Sequence, residues 1–155
     1  MKKLNKIKSA GMIVLMALTS ATFTSCKKEG CTDANANNYN DEAKKSDGTC
    51  TYPIINTSGI GKSGDISGAG GTASKTFTFT NSNTTAGWDM SIDASGGSFQ
   101  LVLKDASGTT VLDKTLTAGS GSQDAAGTSA SGTSGTWTAT ITLTKFRGSG
   151  DYSFL

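Results

Sequence analysis

No histidine occurs among the 155 residues, and proline occurs once. The first absence removes Ser-His-Asp and Cys-His catalysis, histidine metal sites and a histidine proton switch. Charged residues make up 17% of the chain and aromatics 7%, so the ionic surface usual in soluble enzymes is thin. A basic stripe is also missing: four of the fourteen Lys/Arg are Lys2, Lys3, Lys6 and Lys8, and from Cys26 onward ten basic residues face twelve acidic ones, a net of −2. Nucleic acid, whose phosphates need such a stripe, is excluded as a partner. No apolar run is long enough to span a bilayer. The stretch from Ala10 to Leu18 is roughly half the ~20 residues required. What the chain has instead is glycine, 20 residues of it, with abundant Ser and Thr. Its length suits one domain with a small added module.

Residues 1–25 combine a basic start, that apolar stretch and a small-residue tail ending in Thr24-Ser25, the layout of a signal peptide. Thr22-Phe23-Thr24-Ser25-Cys26 resembles the lipobox of bacterial lipoproteins, with Phe23 where Leu is usual. The resemblance implies acylation of Cys26, cleavage before it, and a protein held on a membrane without crossing it. Two or three acyl chains suffice for stable anchoring, since each buried methylene contributes about 0.8 kcal/mol. The alternative is an ordinary secretory signal with Cys26 free or disulfide-bonded. With Cys26 acylated, Cys31 and Cys50 are left as an even pair in an oxidising compartment, and a disulfide follows. By the same resemblance, the lack of Asp beside the cysteine in Lys27-Lys28-Glu29 implies the outer membrane of a Gram-negative cell. The Lys-Lys-Glu cluster is similar to charged surface-export signals and equally suits a solvated tether. A surface-exposed and a periplasm-facing placement both stay open.

From Gly30 to Tyr52 the text is poor in apolar residues. Asn40 can cap a short helical turn, with Asp41 and Glu42 at its start and Lys44 and Lys45 at its end, and Asp47-Gly48 stops it. A Cys31–Cys50 bond would constrain the unfolded chain by about 3 kcal/mol, which so small a core requires. Gly30-Cys31-Thr32-Asp33, then Ala36-Asn37-Asn38-Tyr39, then Asp47-Gly48-Thr49-Cys50-Thr51-Tyr52 resembles a short repeat of secreted and surface proteins of Gram-negative bacteria. That resemblance implies an extracellular accessory module and no enzymatic role. Asp33, Asn35 and Asn37 at alternate positions, with Asp41 after them, also begin like a calcium loop. The likeness breaks at Asn38, where glycine is needed, and at Lys44, where a bidentate Glu is needed, so an Asn-rich turn is the competing reading.

After Pro53 the pattern has period two. Phe77 and Phe79 alternate with Thr, and Trp88, Met90 and Ile92 with Asp89, Ser91 and Asp93. Phe99, Leu101 and Leu103 alternate with Gln100, Val102 and Lys104, while Trp137, Ala139, Ile141 and Leu143 alternate with Thr138, Thr140, Thr142 and Thr144. Tyr152 and Phe154 close the chain. These read as half-buried strands, apolar inward and Thr outward. Asp93–Gly97 and Asp105–Gly108 have the length and glycines of hairpin loops, which implies an antiparallel meander. The expectation is a mainly β protein: an antiparallel β-sandwich, jelly-roll or immunoglobulin-like, preceded by a small disulfide-closed module. Its divisions are a signal peptide (1–25), a lipidated tether (26–30), the module (31–52), a Gly/Ser-rich linker (53–71) and the sandwich (72–155).

Ser134-Gly135-Thr136-Trp137 before one long strand, and Gly148-Ser149-Gly150-Asp151-Tyr152-Ser153-Phe154 as the last, resemble the pre-peptidase C-terminal domain. That resemblance implies a non-catalytic appendage that aids secretion, adhesion or carbohydrate binding. Trp88 and Trp137 could make a sugar-stacking platform, but both keep the register of their apolar neighbours and read as core. Ala118–Gly135 is almost all Gly, Ser, Ala and Thr and reads as flexible or weakly strand-forming. Gly59-Ile60-Gly61-Lys62-Ser63 lacks phosphate-loop spacing and reads as linker. Carboxylate catalysis has no visible pair: Asp89 and Asp93 lie roughly 13 Å apart along one strand, beyond glycosidase separations, and Asp105 and Asp113 belong to a turn and a strand end. The function expected is a non-catalytic binding or structural role at the envelope, with membrane lipid and a glycan or envelope protein as partners. A small calcium- or carboxylate-dependent hydrolase is the alternative.

Overall fold

The computed structural model describes residues 27–58 and 62–155. The expected signal peptide and Cys26 lie outside the described residues, as do Gly59, Ile60 and Gly61. Among the described residues there is no helix. The elements are β1 (Glu29–Gly30), β2 (Lys45–Ser46), β3 (Ile54–Ile55), β4 (Ser63–Asn81), β5 (Gly87–Lys104), β6 (Thr110–Thr117), β7 (Gln123–Thr128) and β8 (Gly135–Phe154).

Three strands are far longer than a sandwich is thick, at 19, 18 and 20 residues for β4, β5 and β8. Each is creased once. The register slips at Gly71 on β4, at Gly96 on β5, and opposite both on β8 between Thr144 and Gly148. Bulges bend and twist the strand that carries them, and three side by side fold the whole sheet over. One layer holds β3, the first halves of β4 and β5, the second half of β8, and β7. The other holds the remaining halves of β4, β5 and β8, with β6. The two layers meet through aromatic side chains: Phe79 and Phe154 lie 4.7 Å apart between ring centroids, Phe77 and Tyr152 6.2 Å, and Phe99 and Tyr152 6.4 Å. This is an antiparallel β-sandwich whose core takes in Ile66, Met90, Ile92, Phe99, Leu101, Leu103, Trp137, Ile141, Leu143 and Phe146.

Every alternating apolar residue read from the sequence between Phe77 and Phe154 turns toward that core; Trp137 belongs to it and Trp88 packs against it. Trp137 is fully buried, its Nε1 donating to the Thr133 carbonyl at 2.8 Å. Trp88 is partly buried at the edge, its ring lying over Gly127.

The connections differ from the expected meander. Asp93–Gly97 is no hairpin but the creased middle of β5, because the glycines serve a bend within a strand. Gly97 takes φ +81°, and a β-carbon there would stand 2.3 Å from the Thr144 and Lys145 carbonyl oxygens. Facing it, Lys145 holds φ +46°, the one left-handed non-glycine among the described residues, a conformation that costs roughly 1–2 kcal/mol. Consecutive strands β4 and β5 are not neighbours either: β8 lies between them, and residues 82–86 arch from one layer to the other. Asp105–Gly108 is a true hairpin turn. The Asp105 carboxylate accepts from the amides of Ser107, Thr109 and Thr133 and from the Ser107 hydroxyl, and these bonds hold its pKa down at about 2. The span expected as linker, 53–71, contains β3 and the first half of β4, and the low-complexity stretch after Ala118 contributes β7.

Ahead of the sandwich, Cys31 and Cys50 are disulfide-bonded. The helical turn expected after Asn40 is a single non-helical turn, in which the Asn40 side chain accepts from the Glu42 amide and its carbonyl from Ala43. The module docks on the crease of β4. Asn37 Oδ1 accepts from the amides of Ala69 and Gly71 at 2.9 and 3.1 Å, and the Asn35 carbonyl accepts from Thr72. Glycine is required at Gly71, since a β-carbon would stand 2.6 Å from the Asn35 oxygen.

Candidate binding face and the creased edge

The first layer turns its outer face to solvent with a pattern that spans four strands. On β4 the outward residues are Ser63, Asp65 and Ser67; on β8 they are Ser149, Asp151 and Ser153; on β5 they are Asp89, Ser91 and Asp93. Antiparallel register lines these up in rows. Asp65 pairs with Asp151, Asp151 with Ser91, and Ser91 with Asp124 of β7, so one row crosses four strands of the layer. The next row is Ser67, Ser149 and Asp93. Directly opposed residues have β-carbons about 5 Å apart, so hydroxyls and carboxylates form a grid at that spacing. Its depression, a cavity of about 450 Å³, runs from Asn56 at one edge to Ser122 and Asp124 at the other. Inside it the Ser91 hydroxyl donates to Asp151 Oδ2 at 2.7 Å.

Beneath the face, Tyr152 donates its hydroxyl to the Asn56 carbonyl at 2.8 Å. Burial, and secondarily the charge of Asp65, push its pKa up to about 12. Tyr152 is therefore a fixed neutral donor that locks β8 to the segment after β3. The neighbouring Gly64 leaves room for this bond, since a β-carbon there would stand 2.0 Å from the Asn56 oxygen.

The residues singled out for calcium do other work. Asp33 Oδ1 accepts from the Asn35 amide and Oδ2 from the Tyr52 hydroxyl, bonds that lower the Asp33 pKa and raise that of Tyr52. Asn37 turns its oxygen to β4, Asn35 is exposed, and Asp41 sits in an exposed turn. Among the described residues no group of three His, Cys, Asp or Glu is placed to hold a metal ion. Calcium at Asp33, Asn35, Asn37 and Asp41 is an expectation of spacing alone. Asp113 accepts from the Gln100 side chain, and Asp89 and Asp93 lie in different rows of the outer face.

The row Asp65–Asp151–Ser91–Asp124 is not visible among the carboxylates of any single strand. Asp65 fell in the expected linker and Asp124 in the low-complexity stretch. The signal was present as Ser-x-Asp-x-Ser at 63–67 and again at 149–153, with its inverse Asp-x-Ser-x-Asp at 89–93.

No protein-family model matches the chain. No curated protein matches it either. Among solved structures, one described as "CBM4 structure and function" overlaps 64% of this chain and 81% of its own at 13% identity, with a TM-score of 0.41. A likeness at that level carries nothing about what this chain binds.

Proposed function

We propose that this protein is a non-catalytic binding protein of the cell envelope, anchored by acyl chains on Cys26 and holding a hydroxyl-rich glycan on its Asp/Ser face. The anchor rests on Thr22–Cys26 and the signal-like residues before it. The binding role rests on one observation above others: three strands carry matching Ser/Asp alternations that register into a single polar grid. Opposed like charges such as Asp65 and Asp151 weaken a sheet, so strand stability gives no reason to place them there. Carboxylates and serine hydroxyls at about 5 Å spacing suit sugar hydroxyls, which both donate and accept.

The test is retention of the mature lipoprotein, in detergent micelles, on polysaccharide extracted from the producing cell's envelope. Asp65→Asn with Asp151→Asn is expected to cost at least tenfold in affinity while the thermal midpoint holds or rises. Unchanged retention would overturn the reading. For the anchor, mass analysis is expected to find an acylated N-terminal Cys26, and Cys26→Ala is expected to release the protein from membranes.

The hydrolase reading has one observation in its favour. Asp65 and Asp151 are direct cross-strand neighbours, near the ~5 Å carboxyl separation of retaining glycosidases. Both are exposed, whereas an acid catalyst is made by burying a carboxyl against apolar groups. Aryl glycosides are expected to survive incubation with the protein. Turnover lost on Asp65→Asn would establish the enzyme instead.

A further inference from the structure

A second cavity, of about 340 Å³, opens where the disulfide module meets the crease. Its chemistry is the reverse of the Asp/Ser face. Tyr39 and Asn37 line it from the module, and Gly70, Lys145 and Arg147 from the crease, with no acidic residue among the lining. Of the acids in this part of the chain, Glu42 pairs with Lys28, Glu29 with Lys45, Asp33 with Tyr52 and Asp47 with Thr49, while Asp41 stands exposed in its turn. Neither Lys145 nor Arg147 has a carboxylate within ion-pair distance among the described residues.

Two features show that this corner is held in a particular shape. The Arg147 guanidinium lies against Gly70, at φ +115°, where a β-carbon would stand 2.9 Å from Nη2. Lys145 keeps its left-handed backbone although glycine would adopt it freely, and its amide donates to the Thr72 hydroxyl at 3.1 Å. Strained non-glycine residues of this kind gather at binding sites. Tyr39, 47% exposed, contributes an aromatic ring to the same opening. The backbone N–H of Asn37 donates to the Thr51 carbonyl and its Oδ1 is bound to β4, while its side-chain Nδ2 makes no hydrogen bond among the described residues.

An aromatic ring, two cations and an amide donor around a cavity at the small end of ligand pockets define a ligand class. Arginine's planar fork matches a carboxylate through two parallel hydrogen bonds, lysine adds a point charge, and a tyrosine ring packs against the apolar face of a sugar. We propose that this cleft binds a uronic acid residue of an acidic polysaccharide, its carboxylate on Arg147 and Lys145 and its ring against Tyr39. An acidic peptide would supply the carboxylate without a sugar's apolar C–H face for Tyr39. The site is separate from the Asp/Ser face and does not depend on the role given to that face.

The test uses the mature lipoprotein in micelles, titrated calorimetrically with trigalacturonic acid and with the neutral maltotriose. Trigalacturonate is expected to bind at least tenfold more tightly than maltotriose, and less tightly as salt rises. Arg147→Gln and Tyr39→Ala should each weaken it at least tenfold. Lys145→Gly separates binding from folding: it should raise the thermal midpoint by removing the left-handed strain, yet weaken trigalacturonate by a similar factor. Asp151→Asn should leave this binding intact, so the two sites fail independently. Equal binding of maltotriose that persists in Asp65→Asn with Asp151→Asn, no binding of trigalacturonate, or wild-type affinity in Lys145→Gly and Arg147→Gln would overturn the proposal. So would competition by inorganic phosphate with Tyr39→Ala silent, or tighter binding of a hexa-aspartate peptide.

Discussion

The same three strands build two outer faces, and the faces are opposites. Past the crease, β4 presents Ser74, Thr76, Thr78 and Thr80 outward against Thr142, Thr140, Thr138 and Thr136 of β8. Their hydroxyls satisfy one another, Thr76 with Thr140 at 3.0 Å and Ser74 with Thr142 at 3.2 Å. Threonine is a good strand former, and paired threonines stabilise a sheet. Before the crease, the same strands carry Asp and Ser, poor strand formers, with Asp65 set opposite Asp151. One face is what sheet stability alone would select. The other departs from it in a repeated pattern, and such departures mark function more often than accident.

Breaking the crease should have the largest effect, because it separates the two faces. Gly97→Val forces a β-branched residue to φ +81° and drives its β-carbon into the Thr144 and Lys145 carbonyls. Expression should yield no cooperatively folding protein, as read by circular dichroism on heating. Loss of the Cys31–Cys50 bond should come next. Cys31→Ser with Cys50→Ser removes about 3 kcal/mol of unfolded-state constraint from the module. Amides at Ala69 and Gly71, bonded to Asn37, should then lose hydrogen-exchange protection while the core strands keep theirs.

Exchanging the faces should have a smaller effect of opposite sign on each. Asp65→Thr with Asp151→Thr should stabilise the protein by up to about 1 kcal/mol, and Thr76→Asp with Thr140→Asp should destabilise it by a similar amount. Denaturant midpoints check both. A stabilising Thr pair on the first layer would show that Asp65 and Asp151 are held there at the expense of stability. The mildest test lies at the hairpin. Asp105 titrates at about 2 in the folded protein against about 3.9 unfolded, so its contribution is complete above about pH 4 and lost as pH falls toward 2. Asp105→Asn should be less stable at neutral pH and lose less on acidification over that window.

Much of the fold was legible because period-two alternation names the buried face directly. Trp137, Ile141, Leu143, Met90 and Ile92 all lie where that alternation puts them, and the Cys31–Cys50 bond is formed. What was not legible was how the strands bend. A Gly-Gly pair such as Gly96-Gly97 or Gly70-Gly71 looks the same whether it turns a chain back on itself or creases a strand that continues. Only the pairing of three strands at one level separates the two. That ambiguity made 93–97 a hairpin and 53–71 a linker, and it hid the site. The Asp/Ser row exists only once Asp65, Asp151, Ser91 and Asp124 are aligned by register, and no local pattern gives the register between partners 33, 60 and 86 residues apart.

If the Asp/Ser face binds and the Thr face does not, amide chemical-shift mapping with envelope polysaccharide will separate the two. Shifts are expected at Asp65, Ser91, Asp124 and Asp151, with silence at Thr76, Thr138 and Thr140, and the shifts should vanish in Asp65→Thr with Asp151→Thr. Shifts centred on the Thr face, or a first-layer response that survives that double substitution, would contradict it.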